Sequence, residues 1–159
     1  MNEKTASAIC CGRQREISIL VVVAPKRSAE VERIFSHTRW ETHVVHSIRE
    51  AAEVLQSFPI GVVLCEDQVP DGNWVDILRE TECLEPRPET IVLSARLDST
   101  LWAEVLNCGG YDLLAMPLEA KEVYAVIPMA WRQGACTAAR CPAGAASEQS
   151  LRRELVEVS

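Results

Sequence analysis

Residues 17–23, Ile-Ser-Ile-Leu-Val-Val-Val, form a nearly unbroken aliphatic run. It is long enough for one strand and too apolar to have a wet face. The spacing then changes. Val31, Ile34 and Phe35 recur at three- and four-residue intervals, which predicts a helix with Ser28 as its cap and acids early in it. Residues 42–45 read as a second strand, and Ser47 caps a helix whose Ile48, Ala51, Ala52 and Leu55 share one face. Pro59 closes that helix, and residues 60–65 make a third buried strand. Residues 66–73 are rich in turn formers and lead to a short helix through Trp74, Ile77 and Leu78.

After a loop at Pro86 and Pro88, residues 90–94 are a fourth strand and Leu101, Trp102, Val105 and Leu106 a helix face. Gly109-Gly110 supplies that helix with a left-handed end. Residues 112–115 are a fifth strand, and Val123, Val126, Ile127 and Ala130 the buried face of a last helix. Pro128 lies inside it and removes a backbone hydrogen bond, so a bend near Tyr124 is expected; an undistorted helix would lose about 3 kcal/mol. Five strands alternating with five helices predict an α/β, doubly wound parallel sheet with helices on both faces.

At 159 residues a single domain buries roughly 68–70% of its unfolded surface and needs no staple. The expected division is a polar leader at 1–15, the domain at 16–132, and an Ala/Gly-rich linker with a short C-terminal helix or disordered tail at 133–159. Sixteen Lys and Arg against 23 Asp and Glu leave a net charge of −7, which disfavours nucleic acid and anionic lipid. Residues 1–12 are too polar for a secretory leader, and no apolar run approaches the roughly 20 residues of a membrane helix. A cytoplasmic location is expected. The seven cysteines are odd in number and lack Cys-x-x-Cys spacing, so buried apolar or free thiols are expected. Cys10 and Cys11 with Cys136 and Cys141 are a weaker alternative, a metal or redox sensor without the usual ligand spacing.

In an open parallel sheet, chemistry gathers beyond the carboxyl ends of the strands. Those positions are Val23 and Ala24, Glu66 and Asp67, Ser94 and Ala95, and Met116 and Pro117. The order of elements, with Ile19-Leu-Val-Val22, Val69-Pro70-Asp71-Gly72, Ser94-Ala95 and Met116-Pro117, resembles the receiver domain of bacterial response regulators, the CheY-like superfamily. The resemblance spans roughly residues 16–132 and implies strand order 2-1-3-4-5. It also implies roles. The family's magnesium-binding acids fall on Val23 and Ala24, its phosphoacceptor on Glu66, its switch hydroxyl on Ser94, its lysine on Met116 and its aromatic switch on Leu113.

Only Ser94 keeps the family's residue type, which marks a degenerate pseudo-receiver. Magnesium needs oxygen ligands that Val23 and Ala24 cannot offer, so no metal or other cofactor is expected. A phosphoryl group would bring about −1.5 to −2 charge beside Glu66 and Asp67 with no countercharge in view. Phosphorylation is therefore not the expected switch, and no enzymatic activity is expected. Glu66 is expected either to accept a hydrogen bond from Ser94 and hold an active-like state, or to be a solvated strand-end residue. Cys65 should be a buried structural thiol, Asp71-Gly72 a turn, and His37, His43 and His46 structural or solvated.

The resemblance implies work by protein contact in two-component signalling, with a histidine kinase or another signalling protein as partner. A homodimer through the last two helices and last strand is also implied, with Trp102, Tyr124 and Trp131 as interface candidates. One alternative is an active phosphotransfer receiver with Glu66 or Asp67 as acceptor. The other is the cysteine-based sensor.

Overall fold

A computed structural model describes residues 16–96 and 98–140, with no side chains described for 135–140. Five strands, β1 Ser18–Val22, β2 Glu41–Val45, β3 Val62–Glu66, β4 Glu89–Ser94 and β5 Asp112–Ala115, form one parallel sheet in the order β2-β1-β3-β4-β5. The helices are α1 Ser28–Phe35, α2 Ile48–Ser57, α3 Trp74–Glu82, α4 Ser99–Asn107 and α5 Ala120–Arg140. Sheet order and alternation agree with the expectation.

The two faces of the sheet divide the helices. Ile19, Val21, Val62, Leu64, Ile91 and Leu93 point to one side, where Ile34 and Phe35 of α1 and Val123 and Ile127 of α5 cover them. Leu20, Val22, Val63, Cys65 and Val92 point to the other, under Leu55 of α2, Ile77 of α3 and Val105 of α4. Period-2 alternation in strands buried on both sides therefore appears in sequence as unbroken apolar runs. Each such side chain contributes about 1.5–3 kcal/mol relative to exposure.

The helix starts partly follow their sequence signals. Ser47 Oγ accepts the Glu50 amide at 3.1 Å and caps α2. Ser28 does not cap α1. Pro25 starts a three-residue 3-10 turn, Pro25–Arg27, and Ser28 is already inside the helix with its hydroxyl 3.4 Å from His46 Nε2. Asn73 and Asp76 form a capping box on α3, a device the turn-rich reading of 66–73 left unresolved. A two-residue antiparallel ladder, Gln68–Val69 with Gly72–Asn73, shapes the same loop. Gly109 has φ +99°, and Gly110 donates to the Val105 carbonyl at 2.7 Å, the left-handed ending predicted for α4.

At the chain end, α5 runs through Pro128 and on to Arg140. Residues 133–140, expected as linker, are therefore helical, in keeping with the helix preference of Ala, Gln and Arg. The cysteine alternative depends on Cys10, Cys11 and Cys141, which lie outside the described residues, and on Cys136, whose side chain does too. No helix among the described residues is long and apolar enough to cross a membrane.

Candidate functional site

Parallel pairing places the carboxyl ends of β1, β3, β4 and β5 side by side, with Val22 opposite Cys65, Glu66 opposite Leu93, and Ser94 opposite Ala115. Val23, Glu66, Ser94 and Met116, predicted from separate segments, meet at this edge. All four are buried. Glu66 is the last residue of β3 and only 7% exposed, which corrects the expectation of a solvated strand end.

A carboxylate so placed requires compensation, and Glu66 has two partners. Its Oε2 accepts the Ala24 amide at 3.2 Å. Its Oε1 lies 3.1 Å from Arg27 Nε. The latter contact is an ion pair without hydrogen-bond alignment, since Nε–H finds no aligned acceptor. The expectation of a pocket lacking a countercharge is therefore corrected. Pro25 opens the 3-10 turn that brings Arg27 back over β3, and the cation enters from the β1–α1 connection rather than from residue 116.

Arg27 is shared. Its Nη1 lies 3.5 Å from Glu30 Oε2, and Glu30 Oε1 accepts the Leu118 amide at 2.6 Å. Lys26, Glu30, Arg33, Met116 and Leu118 line an adjacent cleft of about 820 Å³ between α1 and the β5–α5 connection.

Ser94 does not reach Glu66 as one expectation had it. Its hydroxyl donates to Asp67 Oδ2 at 3.1 Å and accepts the Arg96 amide at 3.1 Å, while Asp67 Oδ1 accepts the Gln68 amide at 3.0 Å. Successive residues leaving β3 diverge, so Glu66 and Asp67 serve different partners. Met116 is buried, forms a cis peptide bond with Pro117, and donates its amide to the Ser94 carbonyl at 2.9 Å. Leu113 is packed in the core face shared with Val92 and Val105.

The residues present do not fit magnesium. Val23 and Ala24 offer no side-chain oxygen, and what faces the Glu66 carboxylate is a backbone N–H and a guanidinium. Both turn positive charge toward the place a divalent ion would take. No group of three or more potential ligand side chains gathers among the described residues.

The neighbouring candidates are structural. Cys65 is fully buried, and burial first, then the carboxylates of Glu66 and Asp67, pushes its thiol far above the ordinary value, which rules it out as a ready nucleophile. Asp71 does more than turn the chain: its carboxylate accepts the Ile48 and Arg49 amides at 2.7 and 3.2 Å. His46 Nδ1 lies 2.9 Å from the Val23 carbonyl, and the His43 ring sits against Phe58 at 4.5 Å.

The interface candidates separate. Trp102 is 49% exposed. Tyr124 is 37% exposed, but its hydroxyl donates to the Ile34 carbonyl at 2.6 Å and its ring meets Trp40 edge-on. Trp131 lies half-buried against Gly61 at the core and is not a free surface aromatic. Exposed Leu106 and Met129 were not singled out from sequence, because helical spacing alone placed Leu106 with the buried face.

Comparisons with known proteins agree with this architecture. No protein-family model matches the chain. Regulatory protein AtoC of Escherichia coli (strain K12) is 25% identical over 96 residues, 60% of this chain and 21% of AtoC. Response regulator protein PilR of Pseudomonas aeruginosa is 22% identical over 120 residues, 74% of this chain and 26% of PilR. The chain thus spans only about a fifth to a quarter of these relatives. The solved receiver domain of a Pseudomonas aeruginosa sensor histidine kinase, with magnesium coordinated in its active-site cleft, has a TM-score of 0.65 and 19% identity, over 74% of this chain and 98% of that one. The fold is therefore the CheY-like receiver fold. In sequence it is similar to a regulatory protein and to a response regulator protein, and its fold is receiver-like.

Proposed function

We propose that this chain is a receiver-like module of two-component signal transduction that works by protein contact, without aspartyl phosphorylation or catalysis of its own. One observation carries the reading: the carboxylate at the phosphoacceptor position is already neutralised by Arg27 and the Ala24 amide. Phosphoryl transfer depends on cationic groups positioned around the moving charge. Here the cation is engaged by the carboxylate itself and the neighbouring positions are aliphatic. The module would act in the cytoplasm on a histidine kinase or another signalling protein. Exposed Trp102 and Leu106 on α4, with Trp102 Nε1 donating to Asp112 Oδ1 of β5 at 3.4 Å, favour the α4–β5–α5 side for that contact or for a homodimer.

Incubation of the full chain with acetyl phosphate and magnesium, followed by intact mass measurement, tests this. No mass change is expected. A labile gain of one phosphoryl group would overturn the reading in favour of active phosphotransfer, and peptide mapping would then assign it to Glu66 or Asp67.

A further inference from the structure

The contacts of Glu66 continue beyond Arg27. From Glu66 Oε1 to Arg27 Nε is 3.1 Å, from Arg27 Nη1 to Glu30 Oε2 is 3.5 Å, and Glu30 Oε1 accepts the Leu118 amide at 2.6 Å. These groups start on β3, pass through the β1–α1 connection and α1, and end in the connection between β5 and α5. We propose that Arg27 is a tethered cation that fastens the end of β3 to the β5–α5 connection through Glu30, so that the charge on Glu66 governs how firmly Leu118 is held.

Four features support this. The side chains of Arg27, Glu30 and Glu66 are 27%, 18% and 10% exposed, so water and salt screen their interactions less than they screen a surface pair. A guanidinium carries five donors in a planar fork and can face two carboxylates at once, which an ammonium does less well. Leu118 lies between β5 and α5, and its amide is satisfied by the Glu30 carboxylate from 88 residues away. Finally, the 3-10 turn opened by Pro25 fixes where Arg27 leaves the backbone. If Glu66 loses its charge, the guanidinium loses one anchor. Glu30 is then held less rigidly, and the Leu118 amide opens more often although it touches neither Glu66 nor Arg27.

The inference rests on the reading of a site that works without metal or phosphoryl group, and its test is separate from that one. Amide hydrogen exchange would be followed by NMR in the full chain and in Glu66→Gln, Arg27→Gln and Glu30→Gln. Exchange at Leu118 is expected to be fastest in Glu30→Gln, by about tenfold, because a neutral amide oxygen replaces the carboxylate and the charge assistance of the bond is lost. It should also rise in Arg27→Gln and Glu66→Gln, while the Met116 amide, bonded to the Ser94 carbonyl in the sheet, stays unchanged. An unmoved Leu118 amide in either Arg27→Gln or Glu66→Gln overturns the proposal. So does an equal rise at Leu118 and Met116, which would mean general loss of stability rather than a directed link. A phosphoryl gain in the mass experiment would defeat the proposed function yet leave this comparison of amides intact.

Discussion

Ser94 donates its hydroxyl to Asp67, and Glu66, one residue earlier, is left to Arg27. The two acids at the end of β3 thus belong to separate networks. Loss of one buried hydrogen bond costs about 1 kcal/mol, so Ser94→Ala should destabilise by that order. Denaturant unfolding of double mutants gives the sharper result: Ser94→Ala should couple with Asp67→Ala and be nearly additive with Glu66→Gln. Stronger coupling of Ser94 to Glu66 than to Asp67 would contradict the assignment.

The fold was legible because the three central strands, β1, β3 and β4, are buried on both faces and so announce themselves as aliphatic runs, as residues 17–23 do. Helices declared themselves through Ser47 and Gly109, whose local chemistry agrees with the global structure. Arg27 was not legible. Nothing in the dipeptide Lys26-Arg27 says that a 3-10 turn will aim the second cation at a strand 39 positions later. A usable signal was nonetheless present: an acid ending the apolar run before Asp67 would be buried, and a buried carboxylate demands a cation from a neighbouring strand end. Ser94 lies at the carboxyl end of β4, but which of two adjacent acids it meets depends on side-chain direction, which spacing does not resolve.

Asp71 makes stability depend on pH. Its two bonds to the start of α2, that from Ile48 the stronger influence, hold its carboxyl below the ordinary value of 3.8. The carboxylate form is favoured in the folded state, so its contribution is complete above the ordinary carboxylate range and disappears as pH falls through the lowered folded value. Asp71→Ala should therefore lower stability by about 1 kcal/mol near neutral pH, as loss of a helix-start acceptor does. The gap between variant and parent should close in acid. A gap unchanged from pH 7 to pH 2, followed by thermal unfolding, would refute this role.

Gly61 is needed for space. It donates to the Ser18 carbonyl and accepts from the Glu89 amide, each at 3.0 Å, and a Cβ added there would overlap the Trp131 ring. Gly61→Ala should cost about 1–3 kcal/mol through overpacking and change the tryptophan environment in near-ultraviolet circular dichroism. Paired with Trp131→Ala, the same substitution should cost much less. Full additivity in urea unfolding would place the strain elsewhere.

Cys65 adjoins the candidate site but should behave as part of the core. Its thiol would have to ionise with no water around it and beside Glu66 and Asp67, and both effects oppose the thiolate. The Sγ–H is moreover placed to donate to the Glu66 carbonyl at 3.1 Å. Cys83 and Cys108 are free and exposed. Iodoacetamide should thus modify Cys83 and Cys108 in the native protein and reach Cys65 only after denaturant is added, as peptide mass mapping would record. Because alkylation proceeds through the thiolate, native labelling of Cys65 at the rate of Cys108 would require both access and an ionised sulfur at the end of β3. It would contradict the packing of that strand and reopen the thiol as a reactive group.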